Sequence, residues 1–179
     1  MARPKKPTKK PAATTRAALF RDRVKGLARL PAARIEGAAK NFRTHDDRQR
    51  RALDGVLAEV GIAGAAVAWV PDAEAREKLA AVDGPEAFAA WLASFTGRVR
   101  LIDGHLRLER LAAQGQPVLV TDLDEREAAK ALATFDAVSD LAGVDAELLA
   151  SLLADVGTPD EDGTADLLAE LQKHLPASA

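Results

Sequence analysis

Leu101-Ile102-Asp103-Gly104-His105-Leu106-Arg107-Leu108-Glu109-Arg110-Leu111 is the stretch whose reading decides the fold. It reads as the end of a short strand, a glycine turn and the start of a helix. A strand that turns through glycine into a helix leaves unpaired backbone N–H groups at the helix N-terminus, where a phosphate or carboxylate is stabilised. Gly104 lets the backbone come close, and Arg107 and Arg110, three apart, fall on one helical face near that terminus. Leu108, Leu111 and Ala112 are the expected buried stripe opposite them. The segment has the hardware of an anion site in an α/β fold.

Working outward, the alternation in RVRLID (98–103) supplies the strand before the glycine, and PVLVTDL (117–123) a strand after the helix. GAAVAWV (64–70) reads as a further, buried strand. Between it and residue 98 lies a helical insertion, 71–97, in which two helices fit. The second is opened by Asp83 and Pro85 and carries Phe88, Trp91, Leu92 and Phe95 on one stripe. That stripe reads as packing, with a lid or partner surface as the alternative.

Upstream, Thr44 followed by Asp47 matches a helix-start box, and Leu53, Val56, Leu57 and Val60 repeat at helical spacing up to Gly61. Arg48, Arg50 and Arg51 in its first turns oppose the helix dipole, a cost that a nearby anion would offset. A short helix is expected over 17–25, and 26–35 should hold the first strand, ended near Pro31. Downstream, Asp122 or Asp124 caps a helix through Phe135 with Glu125 and Glu127 in its first turn. Asp145 opens another carrying Leu148, Leu149, Leu152 and Leu153. The acidic stretch 157–163 reads as a linker before a last helix, 164–179, with Leu167, Leu168, Leu171 and Leu175. That helix can pack on the domain or on a partner.

The 179 residues suit one domain, 17–156, with tails, and an apolar fraction of 47% is ample for a core. There is no cysteine, which removes disulfides, zinc-thiolate sites and thiol catalysis. No apolar run approaches the roughly 20 residues of a membrane span, nor does the basic N-terminus carry a signal-peptide core, so a soluble, cytoplasmic protein is expected. The net charge of −2 conceals a division: residues 1–51 carry sixteen Lys and Arg against four acids, and the remainder nine against twenty-three. A nucleic acid, another acidic partner, or attraction between the two ends of the chain would each account for that asymmetry. Residues 1–16, with Lys5, Lys6, Lys9 and Lys10, have the composition of a disordered cationic arm suited to nonspecific attraction to DNA. The same charges would also serve solubility alone.

Three features belong together: Asn41-Phe42-Arg43-Thr44-His45 leading into a helix; the helix that ends at Val60-Gly61 and leads to a strand; and Ile102-Asp103-Gly104-His105-Leu106-Arg107, followed by PVLVTDLDEREA. Together they resemble the ParB N-terminal, or ParB/sulfiredoxin-like, family, whose members often show Asn-Pro-Arg at the first of these places. The likeness spans about 24–156. It implies a small mixed sheet flanked by helices, and a box at Gly104 that binds nucleotide phosphates where ParB has Gly-Glu-Arg-Arg and sulfiredoxin Gly-Cys-His-Arg. Gly104 and Arg107 are common to both versions. His105 and Leu106 bring the box closer to the Gly-His-x-Arg form of ParB-like proteins of phages and mobile elements. Sulfiredoxin activity is excluded by the missing cysteine. Ile62-Ala63-Gly64 stands where the family usually has Gln-Pro, and Thr134-Phe135-Asp136 where a Glu-Asn-Leu-Gln motif is expected.

The resemblance implies a pocket of Asn41, Arg43, Thr44, Gly104, His105 and Arg107 for a nucleotide, CTP or ATP with Mg2+. Read without it, Arg107 is either an anion contact or the partner of Asp103 or Glu109 in a surface ion pair. His105 reads as a cap, a neutral hydrogen-bonding group, a general base or a metal ligand. Asp103 and His105 are the catalytic candidates, and neither their neighbourhood nor His45-Asp46-Asp47 has a diagnostic metal spacing, so no metal site is expected. No Gly-x-Ser-x-Gly elbow or Walker loop is present. The expectation is a DNA-associated nucleotide- or phosphate-binding domain in a partition, modification or mobile-element setting. Its rivals are a nucleotide-dependent phosphotransferase or hydrolase, a ParB-like nuclease, and a non-catalytic module that binds a protein partner or a second copy.

Overall fold

The computed structural model describes residues 20–175. Among these residues five strands form, β1 (Val24–Leu30), β2 (Ile35–Glu36), β3 (Ala66–Trp69), β4 (Val99–Asp103) and β5 (Gln116–Thr121). They form one mixed sheet in the order β1-β5-β3-β4-β2. β1 pairs antiparallel with β5, β5 parallel with β3, β3 antiparallel with β4, and β4 parallel with β2. The expected α/β class with a small mixed sheet is the observed one.

Among the described residues seven α-helices flank the sheet: α1 (Asp47–Glu59), α2 (Ala73–Ala80), α3 (Gly84–Ser94), α4 (His105–Leu111), α5 (Glu125–Asp140), α6 (Ala146–Val156) and α7 (Asp162–Gln172). The 71–97 insertion is indeed two helices, α2 and α3. Its aromatic stripe is core: Phe88, Trp91 and Phe95 are buried and stacked on one another over Ala28, Val99, Leu101, Val118 and Val120. Gly26 of β1 is what lets α3 approach, since a Cβ there would stand 2.2 Å from the Phe88 ring. On the opposite face α5 covers Trp69 and Ile102 with Ala128, Ala131 and Leu132. Its start is fixed by a reciprocal capping box, Asp124 accepting from the Glu127 N–H and Glu127 from the Asp124 N–H. These backbone bonds, above all, hold both carboxyls below the usual range.

Several local expectations are corrected. No helix exists at 20–25; Val24 and Lys25 begin β1, because pairing with β5 and the grip of Arg23 on Asp122 and Glu127, both at 2.6 Å, override local helix preference. The cap of α1 is Asp46, which accepts from the Gln49 N–H, rather than Thr44. In α1 the stripe fades before Val60, which is 67% exposed, and Gly55 is the buried residue, seated on Thr164 of α7. In α4 the buried side chains are Leu106 and Leu111, with Leu108 partly buried, while Ala112 lies exposed beyond a helix of only seven residues. α5 runs past Phe135 to Asp140, and α7 begins at Asp162, inside the stretch read as linker, and packs on α1. Among the described residues no helix is long and apolar enough to cross a membrane.

Candidate functional site

The carboxyl end of β4, the 37–46 segment and the facing sides of α1, α5 and α7 enclose a hollow of about 410 Å³. Gly104 makes its sharpest corner. Its φ of +93° is a left-handed conformation that suits glycine, and a Cβ would meet Ala66 at 2.7 Å and Gln116 Nε2 at 3.0 Å. The corner turns the chain from Asp103 directly into His105, so that Arg107 projects into the hollow one turn later.

Asn41, Arg43, Asp103, Gly104, His105 and Arg107 all line this hollow. Thr44 does not; it borders the adjoining recess with His45, Arg50 and Glu109. Lys5, Lys6, Lys9 and Lys10 lie outside the described residues. Sequence reasoning missed Gln49, Leu53, Val56, Ile102, Leu132, Asp136 and Leu167 as walls of the hollow. Leu53, Val56 and Leu167 had been recognised as apolar helix positions. Gln49 and Asp136 carried no local signal.

The electrostatics are those of two guanidiniums, each held by one carboxylate. Arg43 Nε contacts Asp136 Oδ2 of α5 at 2.6 Å, and Arg107 Nη2 contacts Asp103 Oδ2 at 3.1 Å. The pair that the sequence offered as the alternative for Arg107 therefore exists, and it lies inside the hollow. Arg107 also runs close to Gly64, where a Cβ would stand 2.9 Å from Nη1. Asn41 Oδ1 accepts from the Arg43 backbone N–H at 3.2 Å, which fixes the bend before α1. The other arginines of this region are also engaged, Arg50 with Glu109 and Asp47, and Arg110 with Asp54 of α1. Arg110 thus braces α4 against α1 instead of facing the hollow.

Of the readings open for His105, the structure carries the neutral hydrogen-bonding one. Its Nε2 accepts from the Ala38 N–H at 3.0 Å, so this nitrogen is unprotonated and ties α4 to the 37–46 segment. Burial lowers the imidazole below its ordinary value, opposed by the field of Asp103 and assisted by that of His45. His45 Nδ1 lies 2.9 Å from Gln49 Oε1 across the first turn of α1. Among the described residues no three His, Asp or Glu side chains come together as a metal set. Because α4 spans less than two full turns, an anion in the hollow would be held by the arginine side chains far more than by a helix dipole.

No family model matches this chain, and no curated protein matches it in sequence. Among solved structures it is similar to the C-terminally truncated chromosome-partitioning protein ParB from Caulobacter crescentus, complexed with CTP-gamma-S. The identity is 14%, the TM-score 0.47, and the likeness covers 72% of this chain and 60% of that one. No residue role is carried across at that distance.

Proposed function

We propose that the hollow is a binding site for a phosphorylated, nucleotide-like ligand, with Arg43 and Arg107 as its phosphate contacts and Asn41 and Gly104 shaping the approach. One observation supports the reading above the rest: two guanidiniums from separate elements converge on a hollow whose remaining walls are largely apolar, Leu53, Val56, Ile102 and Leu132 among them. Phosphate can take the place of each carboxylate, since a guanidinium fork matches both anions in bidentate geometry. The apolar wall then receives the body of the ligand.

Lys5, Lys6, Lys9 and Lys10 belong to this proposal as a nonspecific, salt-sensitive attraction to DNA, in keeping with a partition, modification or mobile-element setting. Binding is preferred over a reaction because His105, one of the two catalytic candidates, is already committed through Nε2 to the Ala38 N–H. The test is a thermal-shift panel of CTP, ATP, ADP, GTP and pyrophosphate with magnesium. A ligand selective for the folded state raises the melting temperature in step with RT ln(1 + [L]/Kd). We expect at least one nucleotide to do so and Arg107→Ala to abolish the shift; silence across the whole panel rejects the site.

A further inference from the structure

The end of α5 beyond Asp136, together with α6, carries apolar side chains away from the hollow. Val138, Leu141, Val144, Leu148, Leu152 and Val156 are between 50% and 85% exposed. Leu148, Leu152 and Val156 recur every fourth residue and so make one stripe along α6, whose adjoining flank, with Leu149 and Leu153, is half buried. No residue of α6 is fully buried, and α7 is its neighbour in the fold. A stripe of this kind, on a helix held in place by caps and by one neighbour, is more than the scattered exposure of a monomer surface.

The charge around the stripe is one-sided. Residues 131–172 contain ten Asp and Glu and no Lys or Arg. Within the described residues, the acids of this stretch that are ion-paired are Asp136, with Arg43, and Glu170, with Arg48 and Lys173. Asp140, Glu147 and Asp155, which precede Leu141, Leu148 and Val156 in the chain, have no such partner among the described residues. An apolar line rimmed by unanswered carboxylates is complementary to a helix with an apolar face and basic flanks. A second copy of this chain would set acid against acid across the contact. Residues 1–19 have the charge but carry three prolines and a single Leu, with no Val, Ile or Phe to fill the line.

We infer that the α5–α6 face is a docking surface for a cationic amphipathic helix of a partner protein. The test uses the full chain and two labelled synthetic peptides, with leucines at the same helical positions and either lysines or glutamates elsewhere, read by fluorescence anisotropy. The lysine peptide should bind, the glutamate peptide should not, and Leu148→Lys with Leu152→Lys should weaken binding by about tenfold or more. Glu147→Gln with Asp155→Asn should weaken it severalfold and flatten its salt dependence. Failure of the lysine peptide to bind, equal binding of the two peptides, or indifference to these substitutions overturns the inference. A concentration-dependent dimer that the Leu148→Lys, Leu152→Lys variant dissolves assigns the face to a second copy and overturns it as well. So does a tenfold or greater gain in peptide affinity on removal of residues 1–19, which would make the chain's own terminus the occupant.

Discussion

On the side of the sheet covered by α2 and α3, Val99, Val118 and Val120 have no exposed surface and Leu79 closes over them; on the side covered by α5, Leu27 remains 61% exposed. Two hollows border Ile102 and Leu132 on that second side. The difference follows from the covering elements. The first side receives two helices and three stacked aromatics, enough volume to fill the space, whereas the second receives one helix that contributes mostly alanines near the strands. Small side chains let α5 lie close to the sheet without sealing it. The sealed side therefore supplies most of the apolar burial that holds the domain, and the unsealed side keeps the space in which the arginines meet.

The largest expected effect tests this division directly. Leu79→Ala should cost about 3 kcal/mol, the loss of a fully enclosed side chain together with the cavity it leaves. Leu132→Ala, the same truncation at a half-buried position on the other side, should cost about 1 kcal/mol, since less area is returned to water. Urea unfolding of the two variants measures both. Equal losses would mean that the two sides are packed alike, and the comparison would break.

How much of this was legible in the sequence varies with the range of the forces involved. The strand-glycine-helix reading of 101–111 holds, because a left-handed glycine and a change of hydrophobic period are local signals. So does the reading of Phe88, Trp91 and Phe95 as core. The helix expected at 17–25 failed at Val24 and Lys25, where the partner strand lies almost a hundred residues away at Thr121. Thr44 lost the capping role to Asp46 because several cap-capable side chains lie close together there, and Asp46 is the one whose extended backbone brings its carboxylate to the Gln49 N–H. Asp136 was invisible as part of the hollow: it reaches Arg43 only because α5 brings its fourth turn to the 37–46 segment.

A smaller effect sharpens the role of that carboxylate. If Asp136 competes with an incoming phosphate for Arg43, then Asp136→Asn should tighten pyrophosphate or nucleotide binding by roughly threefold to tenfold, a range in keeping with a half-exposed ion pair. Stability should change by less than about 1 kcal/mol, for the same reason. Isothermal titration of the wild type and variant gives the ratio. Weaker binding by the variant would show that Asp136 positions Arg43 for the ligand instead of competing with it, and would make the ion pair part of the built site.

The smallest effect is a slope. The His105 imidazole sits below its ordinary value of 6.5, chiefly through burial, so the folded chain releases this proton more readily than the unfolded chain. Above pH 6.5 both states are neutral at this position and it adds no pH dependence. As pH falls through 6.5 the unfolded state takes up the proton first, and stability declines until the folded state is protonated too, below its own lowered value. His105→Gln leaves a side-chain acceptor within reach of the Ala38 N–H but does not titrate. Urea midpoints between pH 8 and pH 5 should therefore fall less steeply in the variant than in the wild type, while the two agree at pH 8. Parallel curves would mean that His105 keeps its proton affinity on folding. The half-open side of the sheet would then be wet enough at α4 to solvate a charge, and the contrast between the two sides would be sharper than the burial of His105 implies.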